Sequence, residues 1–148
     1  DTDDWGITKT FFTLLNSQWG HLTIDCFANA YNKKLERFYS LFHSPDSIGI
    51  DAFSHNWVNE NCLLVPPVCV VGSTLHHLRL CRGKGVLVAP FWPSAAFWPL
   101  LLYEFRPYIK DFLVVKGKSV LKQGYNQNSL LGSEEFLGKV LALCIDCS

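Results

Sequence analysis

The chain has 148 residues, of which 49% are hydrophobic and 18% are charged. This composition excludes an intrinsically disordered chain and allows one domain around a single core. The formal net charge is +0, so the chain has no overall positive field with which to hold a polyanion. We therefore expect DNA or RNA to be contacted only locally or through neighbouring domains.

Other features of the sequence limit its location and its relation to membranes. The longest apolar stretch, 86–102, is broken by three prolines, which excludes a membrane span or a signal peptide there. The chain contains no methionine, and we interpret residues 1–148 as one domain excised from a larger protein. Six cysteines lie singly in apolar runs, as is typical of reduced core cysteines in an intracellular protein, nuclear or cytoplasmic. Cys144 and Cys147 have zinc-knuckle spacing, but no second pair follows, so we expect no bound metal.

The first half of the chain alternates helical and extended patterns. Apolar residues from Ile7 to Leu15 recur at helical spacing, and this helix is expected to end near Trp19-Gly20. The polar segment 29–39 is interpreted as a helix whose charged side chains face water. Buried strands are expected at 22–28, 48–53 and 62–65, and the last is stopped by Pro66-Pro67.

The second half continues the alternation. The predicted elements are a helix at 70–80, a strand at 85–89, a helix at 94–105 capped by Ser94, a strand pair at 109–115 and 119–123, and a final helix capped by Ser133. Together these patterns predict an α/β fold with a mainly parallel sheet and helices on both faces.

Ligands of such sheets bind beyond the carboxyl ends of the strands. Asp25, Asp51 and Pro66-Pro67 fall at predicted strand ends of this kind. Asp25 with Phe27, and Asp51 with Phe53, each combine an acid for a hydroxyl or amino group with an aromatic wall for a base, as a nucleoside-shaped ligand requires. In the alternative interpretation, the two aspartates only cap the turns that follow them.

An ordered series of short segments runs through residues 5–118. Its members are Trp5, Trp19-Gly20, Asp25-Cys26-Phe27-Ala28, Asn32, Arg37-Phe38-Tyr39-Ser40, Asp51-Ala52-Phe53, Trp57, Pro66-Pro67, and the run from Val88 to Pro93. The series resembles the region between the ribonuclease H and the tyrosine recombinase of DIRS-type and Ngaro-like retroelements. That region is in turn similar to the phage-type DNA N6-adenine methyltransferase family.

The resemblance implies a Rossmann-like methyltransferase fold with S-adenosylmethionine as the methyl donor. Asp25 and Phe27 would line the donor site, while Asp51 and Phe53 would flank the ribose or adenine of the donor. The catalytic motif would fall at Val65, Pro66, Pro67 and Val68.

This last segment departs from the family pattern. The family chemistry needs a side-chain oxygen at the first motif position to accept a hydrogen bond from the target amine, and an aromatic ring at the fourth to stack on the flipped base. Val65 and Val68 supply neither group. Loss of the acceptor typically lowers the rate by ~10²–10³-fold, and loss of the ring removes about 1–3 kcal/mol of base binding. The pattern therefore predicts a degenerate, non-catalytic module.

Three alternatives remain open on sequence alone. An active methyltransferase would take its catalytic group from elsewhere, for instance Asn59 or Asn61. A recruited protein-interaction domain would bind neither donor nor nucleic acid, in keeping with the neutral charge. A ribonuclease H would require carboxylates converging on two Mg²⁺ ions, and the candidates for that role are Asp25, Asp51, Glu60 and Asp111.

Overall fold

The computed structural model describes residues 5–123 and 138–148. The strands in these ranges are β1 Trp5–Ile7, β2 Ile24–Asp25, β3 Tyr39–Ser40, β4 Gly49–Ile50, β5 Asn61–Leu64, β6 Lys84–Pro90, β7 Ile109–Lys116, β8 Leu121–Gln123 and β9 Lys139–Asp146. The helices are α1 Lys9–Trp19, α2 Val71–Leu80 and the short α3 Gly117–Val120. No helix in the described ranges is long and apolar enough to cross a bilayer.

The central sheet has five strands in the order β2-β5-β6-β9-β7. The pairings β2–β5 and β5–β6 are parallel, whereas β9 is antiparallel to both β6 and β7. β7 therefore points in the same direction as β2, β5 and β6. The sheet is thus mixed, with its parallel part on one side.

The two-stranded parallel pair of β3 and β4 adjoins the β2 side of this sheet. A parallel bridge joins Asp25 to Phe38, and the backbone N–H of Asp25 donates to the carbonyl of Arg37 at 3.0 Å. Ile48 and Asp51 then donate to the carbonyls of Phe38 and Ser40. In space the strands thus follow the order β4-β3-β2-β5-β6-β9-β7, and β9 alone of these described strands runs against the others.

Alternation along the central strands divides the core into two apolar layers. In β6, Leu87 and Ala89 belong to the layer that includes α2, whereas Val86 and Val88 belong to the layer that includes α1. Successive side chains of a strand point to opposite faces, so a strand that is apolar at every position must be covered on both sides.

The two longer helices cover opposite faces of the sheet. α1 buries Phe11 and Leu15, and the Thr8 side chain caps it by accepting the N–H of Phe11 at 3.2 Å. α2 buries its own apolar stripe against the other face, namely Val71, Leu75 and Leu78. The α/β class with helices on both faces is therefore confirmed, as are both helices within a residue or two of their expected bounds.

The helix expected at 29–39 is wrong. The side chain of Asn29 accepts the backbone N–H groups of Tyr31 and Asn32, and the Asn32 side chain accepts the N–H of Asn29. These local bonds hold the segment in turns, because asparagine side chains compete with the helical hydrogen bonds of the backbone. The segment ends in the short strand β3.

The second half also departs from expectation in several places. The segment 94–105 contains a π-helical turn at Leu100–Glu104, and Ser94 caps no regular helix. β8 pairs with β1, and not with β7 as expected. The helix expected after Ser133 begins outside the described residues.

The largest correction concerns β9, which the sequence pattern did not reveal. This eight-residue strand lies between β6 and β7 and makes the sheet mixed where a mainly parallel one was expected. It is buried on both faces, so it lacks the alternation of apolar and polar residues that marks a half-exposed strand.

At two glycines, Gly85 and Gly72, we expect an added methyl group to change the stability in opposite directions. In β6, a Cβ on Gly85 would lie 2.5 Å from the carbonyl oxygen of Cys62 in β5, whereas a Cβ on Gly72 in α2 would meet nothing nearer than Leu100 at 4.0 Å. We expect Gly85→Ala to lower the free energy of unfolding by about 1–3 kcal/mol through overpacking. Gly72→Ala should raise it by up to about 1 kcal/mol, because alanine favours the helix.

Urea unfolding of both variants would measure these changes. A Gly85→Ala protein as stable as the parent chain would contradict the close contact between β5 and β6.

Candidate functional site at the carboxyl edge of the sheet

The parallel pairings bring several strand ends to one edge. β2 ends at Asp25, β4 ends just before Asp51, and β5 ends just before Val65. Because β4, β3, β2 and β5 are mutually parallel, these ends lie along the same side of the layer. The residues nominated as site residues from the sequence therefore share an edge.

Asp25 is the buried acid of this edge. Its residue surface is only 4% exposed. Its Oδ2 accepts the backbone N–H of Lys34 at 3.0 Å, from the loop that follows β2. That loop is held in position by the asparagine turns described above, so a local sequence feature places a hydrogen-bond donor on the carboxylate.

Burial raises the pKa of Asp25 to about 6. The N–H and the positive charge of Lys34, together with the N–H of Phe27, act in the opposite direction but are outweighed. A buried carboxylate has lost its hydration, and this penalises the charged form. Asp25 is therefore a carboxyl group that changes charge near neutral pH.

Asp25 lines a small pocket with a cavity volume of about 20 Å³ that is partly open to solvent. The other residues around it are Gly6, Ile7, Phe27, Asn32, Lys34, Leu63 and Val65. The walls are mainly apolar, and the polar groups come from Asp25 and from the loop after β2. The structure thus brings together Asp25, Phe27 and Val65 from the predicted set.

Phe27 is also part of an aromatic cluster on the side facing α2. Its ring centroid lies 5.5 Å from that of Phe53 and 6.4 Å from that of Trp57. Trp57 is fully buried and donates its indole N–H to the carbonyl of Ala52 at 3.0 Å. His77 of α2 stacks edge-on against Trp57 at 4.4 Å. Phe53 is therefore half-buried against the core and does not line the pocket.

Asp51 lies on the same edge but has a different environment. It is exposed, its φ is +60°, and its carboxylate accepts the N–H of Phe53 at 3.2 Å. This is the capping role that was the alternative interpretation of the residue. Neither Asp51 nor Phe53 lines the pocket that contains Asp25.

The segment 65–68 leaves β5 at this edge. Val65 is half-buried and forms part of the pocket wall, while Pro66 is buried behind it. Val68 begins the 3₁₀ turn Val68–Val70, which leads into α2. Neither valine side chain carries a hydrogen-bonding atom or a ring, so the wall beside Asp25 is apolar at this point.

The asparagines considered as substitutes lie at the other end of β5. Asn61 is the first residue of that strand, and its side-chain amide donates to the carbonyls of Trp19 and His21. At ~3.3 Å per residue, Asn61 is about 13 Å along the strand from Val65. Asn59 precedes it and is exposed. Neither asparagine replaces a polar group at position 65.

The four carboxylates nominated for a ribonuclease H centre do not converge. Glu60 forms a two-pronged ion pair with Arg37, with distances of 2.7 and 2.8 Å, at the amino edge of the sheet. Asp111 accepts the indole N–H of Trp19 at 3.0 Å. Within the described residues, no group of three or more His, Cys, Asp or Glu side chains is placed to hold a metal ion.

The sequence analysis did not predict the pocket residues that come from the loop after β2, from β1 and from Leu63 of β5 as site residues. Lys34 was expected to face water from a helix, but its backbone N–H binds Asp25. Gly6 and Ile7 of β1 also line the pocket. The asparagine spacing in 29–32 was a signal that the loop after β2 forms turns, which place the Lys34 N–H on Asp25. No such signal exists for β1, because it reaches the pocket only through the tertiary fold.

No protein-family model matches this chain, and no curated protein matches it.

The raised pKa of Asp25 predicts how stability varies with pH. The folded chain holds the Asp25 proton up to about pH 6, while the unfolded chain releases it near pH 4. Stability contributed by this group is therefore lost as the pH rises from 4 to 6. Asp25→Asn keeps an oxygen for the Lys34 N–H, and we expect it to gain up to about 3 kcal/mol relative to the parent between pH 4 and pH 7.

Glu60→Gln is the matched control, because the pKa of Glu60 is shifted in the opposite direction and the substitution should therefore lower the stability. The hydrogen-bonded Arg37 guanidinium lowers the pKa of Glu60. The Glu60–Arg37 contribution is therefore present above the unfolded pKa and is lost as the pH falls below about 4. The Glu60→Gln substitution should cost about 1 kcal/mol at pH 7, because Arg37 is half exposed, and the cost should fade in acid. Chemical denaturation from about pH 2.5 to 7.5 covers both transitions, and parallel pH profiles of the two variants would contradict the assignment.

Proposed function

We propose that this chain is a methyltransferase-like domain that no longer transfers methyl groups and acts as a non-catalytic module of an intracellular retroelement polyprotein. Its partners would be the neighbouring domains of that polyprotein and, through local contacts, DNA or RNA in the nucleus or cytoplasm. The strand order supports the proposal. A single antiparallel strand inserted beside the last parallel strand is typical of the methyltransferase fold, and β9 has that position.

The observation that carries the proposal is the apolar wall at Val65. This residue stands beside Asp25 in the pocket, at the end of β5. Transfer to an exocyclic amine needs an oxygen there, aimed at the reacting nitrogen. Valine provides none, and the asparagines of the same segment lie at the far end of the strand.

The position expected to stack on the target base is also changed. Val68 lies in the 3₁₀ turn after Pro66 and Pro67. A valine has no ring face for a flipped base, so both recognition and chemistry lose their main contact. A domain altered at both positions keeps its fold but lacks the side chains that methyl transfer to adenine requires.

Donor binding is a separate question from catalysis. Asp25 and Phe27 both line the pocket, but its cavity volume of about 20 Å³ is far below the ~300–1,000 Å³ of ordinary ligand sites. In this conformation the pocket does not enclose S-adenosylmethionine, and Asp51, just after β4, lies outside it.

A protein-interaction domain is the second candidate function. Tyr31, Leu41 and Phe42, from the loops after β2 and β3 at the carboxyl edge, are 81%, 62% and 78% exposed. Together with the net charge of +0, such an apolar rim favours a protein surface over a polyanion. Titration with donor separates this candidate from the first.

We predict that the unaltered chain transfers no labelled methyl group from S-adenosylmethionine to adenine in DNA or RNA. Val65→Asn with Val68→Tyr restores the amine acceptor and the stacking ring. If the donor pocket binds, this double variant should show weak transfer in a tritiated-methyl assay. Adding Asp25→Asn to it should then abolish that transfer, because the carboxylate in the pocket is lost.

Calorimetric titration with S-adenosylmethionine and with its demethylated product provides the control. Binding without transfer by the unaltered chain supports a degenerate methyltransferase. No binding and no transfer by either form favours the protein-interaction domain. Methylation of adenine by the unaltered chain would overturn the proposal.

A further inference from the structure

Basic side chains gather at the amino edge of the sheet, at the opposite ends of the strands from the pocket. β6 begins at Lys84, which lies opposite Asp146 in β9, and Lys110 is the second residue of β7 on the other side of β9. Adjacent strands are ~4.8 Å apart, so the backbones of Lys84 and Lys110 are about 10 Å apart. Hydrogen bonds from Ser148 lower the pKa of Asp146, and the charges of both lysines add to this effect. The two lysines therefore flank the same strand end.

The C-terminal end of α2 brings arginines to this edge. A helix that joins two adjacent parallel strands runs back against them, so α2 ends where β6 begins. Arg79, in its last turn, lies over the ring of Phe105 at 4.7 Å and pairs with Glu104 at 3.6 Å. These contacts hold the segment before β7 beside the helix end, and the next residue, Arg106, is exposed.

Arg82 occupies a position that favours glycine. Its φ is +53°, just beyond the end of α2. The N–H groups of Arg82 and Gly83 donate to the carbonyls of Arg79 and Leu78 at 3.1 and 3.0 Å, which is the pattern that ends a helix with a left-handed residue. Glycine adopts this conformation without strain, whereas a residue with a side chain adopts it at a cost in stability. An exposed arginine at such a position indicates a role for its side chain.

The acids of this edge are engaged, whereas most of its cations have no ion pair. Glu104 pairs with Arg79, and Asp146 accepts both the N–H and the hydroxyl of Ser148. The exposed cations of the edge that form no ion pair with a described carboxylate are Arg82, Lys84, Arg106 and Lys110. Together with Arg79, these four residues form what we call the amino-edge surface. It concentrates positive charge in a chain whose formal net charge is +0.

We propose that the amino-edge surface binds the phosphate backbone of a single-stranded nucleic acid. A row of cations along strand ends matches the linear charge of a nucleic-acid strand, whereas a membrane would be matched by a broad basic face. Tyr103, next to Glu104, is 78% exposed and offers a ring on which an unpaired base stacks. The proposal goes beyond methyl transfer and does not depend on it, because the surface and the Asp25 pocket lie at opposite edges of the sheet.

Fluorescence anisotropy with labelled single-stranded DNA and RNA of one sequence measures this binding at several salt concentrations. We expect weak binding that falls as salt rises, because bound phosphates release counterions. Lys84→Gln and Lys110→Gln should each weaken it about fivefold at ~0.1 M salt, and the slope of log K against log salt should become shallower by about 0.7. Lys118→Gln is the matched control, since it neutralises an exposed lysine at the carboxyl edge, and it should change neither quantity. Equal weakening by all three variants would overturn the proposal, because the total charge would then determine binding.

Arg82→Gly separates a role in binding from a role in folding. Glycine relieves the left-handed conformation, so this variant should unfold at a higher urea concentration than the parent chain. It should nevertheless bind about fivefold more weakly, because one cation is lost. Arg82→Lys keeps both the charge and the strain, and should keep the affinity of the parent chain. An Arg82→Gly protein with unchanged affinity, whether more or less stable than the parent, would overturn the proposal.

Asp146→Asn should act in the opposite direction from the lysine variants. Asparagine keeps an oxygen for Ser148 but removes the negative charge between Lys84 and Lys110. Binding should therefore strengthen about fivefold. Unchanged or weaker binding by Asp146→Asn would mean that the nucleic acid does not approach this strand end, and would overturn the proposal.

Other probes test whether the occupant is a single nucleic-acid strand. Tyr103→Ala should weaken binding to the single strands and leave binding to a DNA duplex of the same sequence unchanged, because only unpaired bases expose their faces. Equal weakening for both would overturn the single strand as the occupant. Vesicles of phosphatidylcholine and phosphatidylserine that bind the chain when neither nucleic acid does would assign the surface to a membrane. Polyglutamate that competes as well as RNA at equal charge would assign it to any polyanion. Each of these results, or no binding of DNA and RNA at low salt, would overturn the proposal.

Discussion

The structure depends on the burial of β5 and β6 on both faces. Cys62, Leu63 and Leu64, like Val86, Leu87 and Val88, are fully buried, and neighbouring residues in each strand belong to opposite core layers. Such strands cannot leave one face to solvent without exposing large apolar side chains. α1 on one side and α2 on the other meet this requirement. Parallel pairing of β5 with β2 and β6 then gathers the strand ends at one edge.

Asp25 is the polar group most affected by this arrangement. A strand end that is covered on both faces leaves little water around its last side chain, and the cost of dehydration raises the pKa of the carboxyl group to about 6. The loop after β2 limits that cost by directing the Lys34 N–H at the carboxylate. Dehydration and the Lys34 N–H thus act in opposite directions on the same carboxyl group, and dehydration has the larger effect on its pKa.

The strand order on the side of the sheet away from β2 is set by β9. Its antiparallel insertion buries Val140, Ala142 and Ile145 completely, and it leaves β7 as the outer strand. Among the described residues, Asp111 accepts the backbone N–H of Phe112 in this strand. The side chains of Phe112 and Val114 are exposed, and the apolar pattern of the sequence does not show this exposure.

The sequence by itself determined the α/β class, α1, α2 and the strands at the centre. Apolar spacing at Ile7, Phe11 and Leu15 marks a helix face, and the continuous run around Val86 marks a buried strand, because these periods reflect which side faces the core. It also placed Asp25 and Asp51 at strand ends. Only the tertiary structure decided that Asp25 is buried in a pocket while Asp51 caps a turn, since burial depends on loops distant in sequence. It likewise decided the position of β9, because strand order arises from long-range pairing that periodicity does not encode.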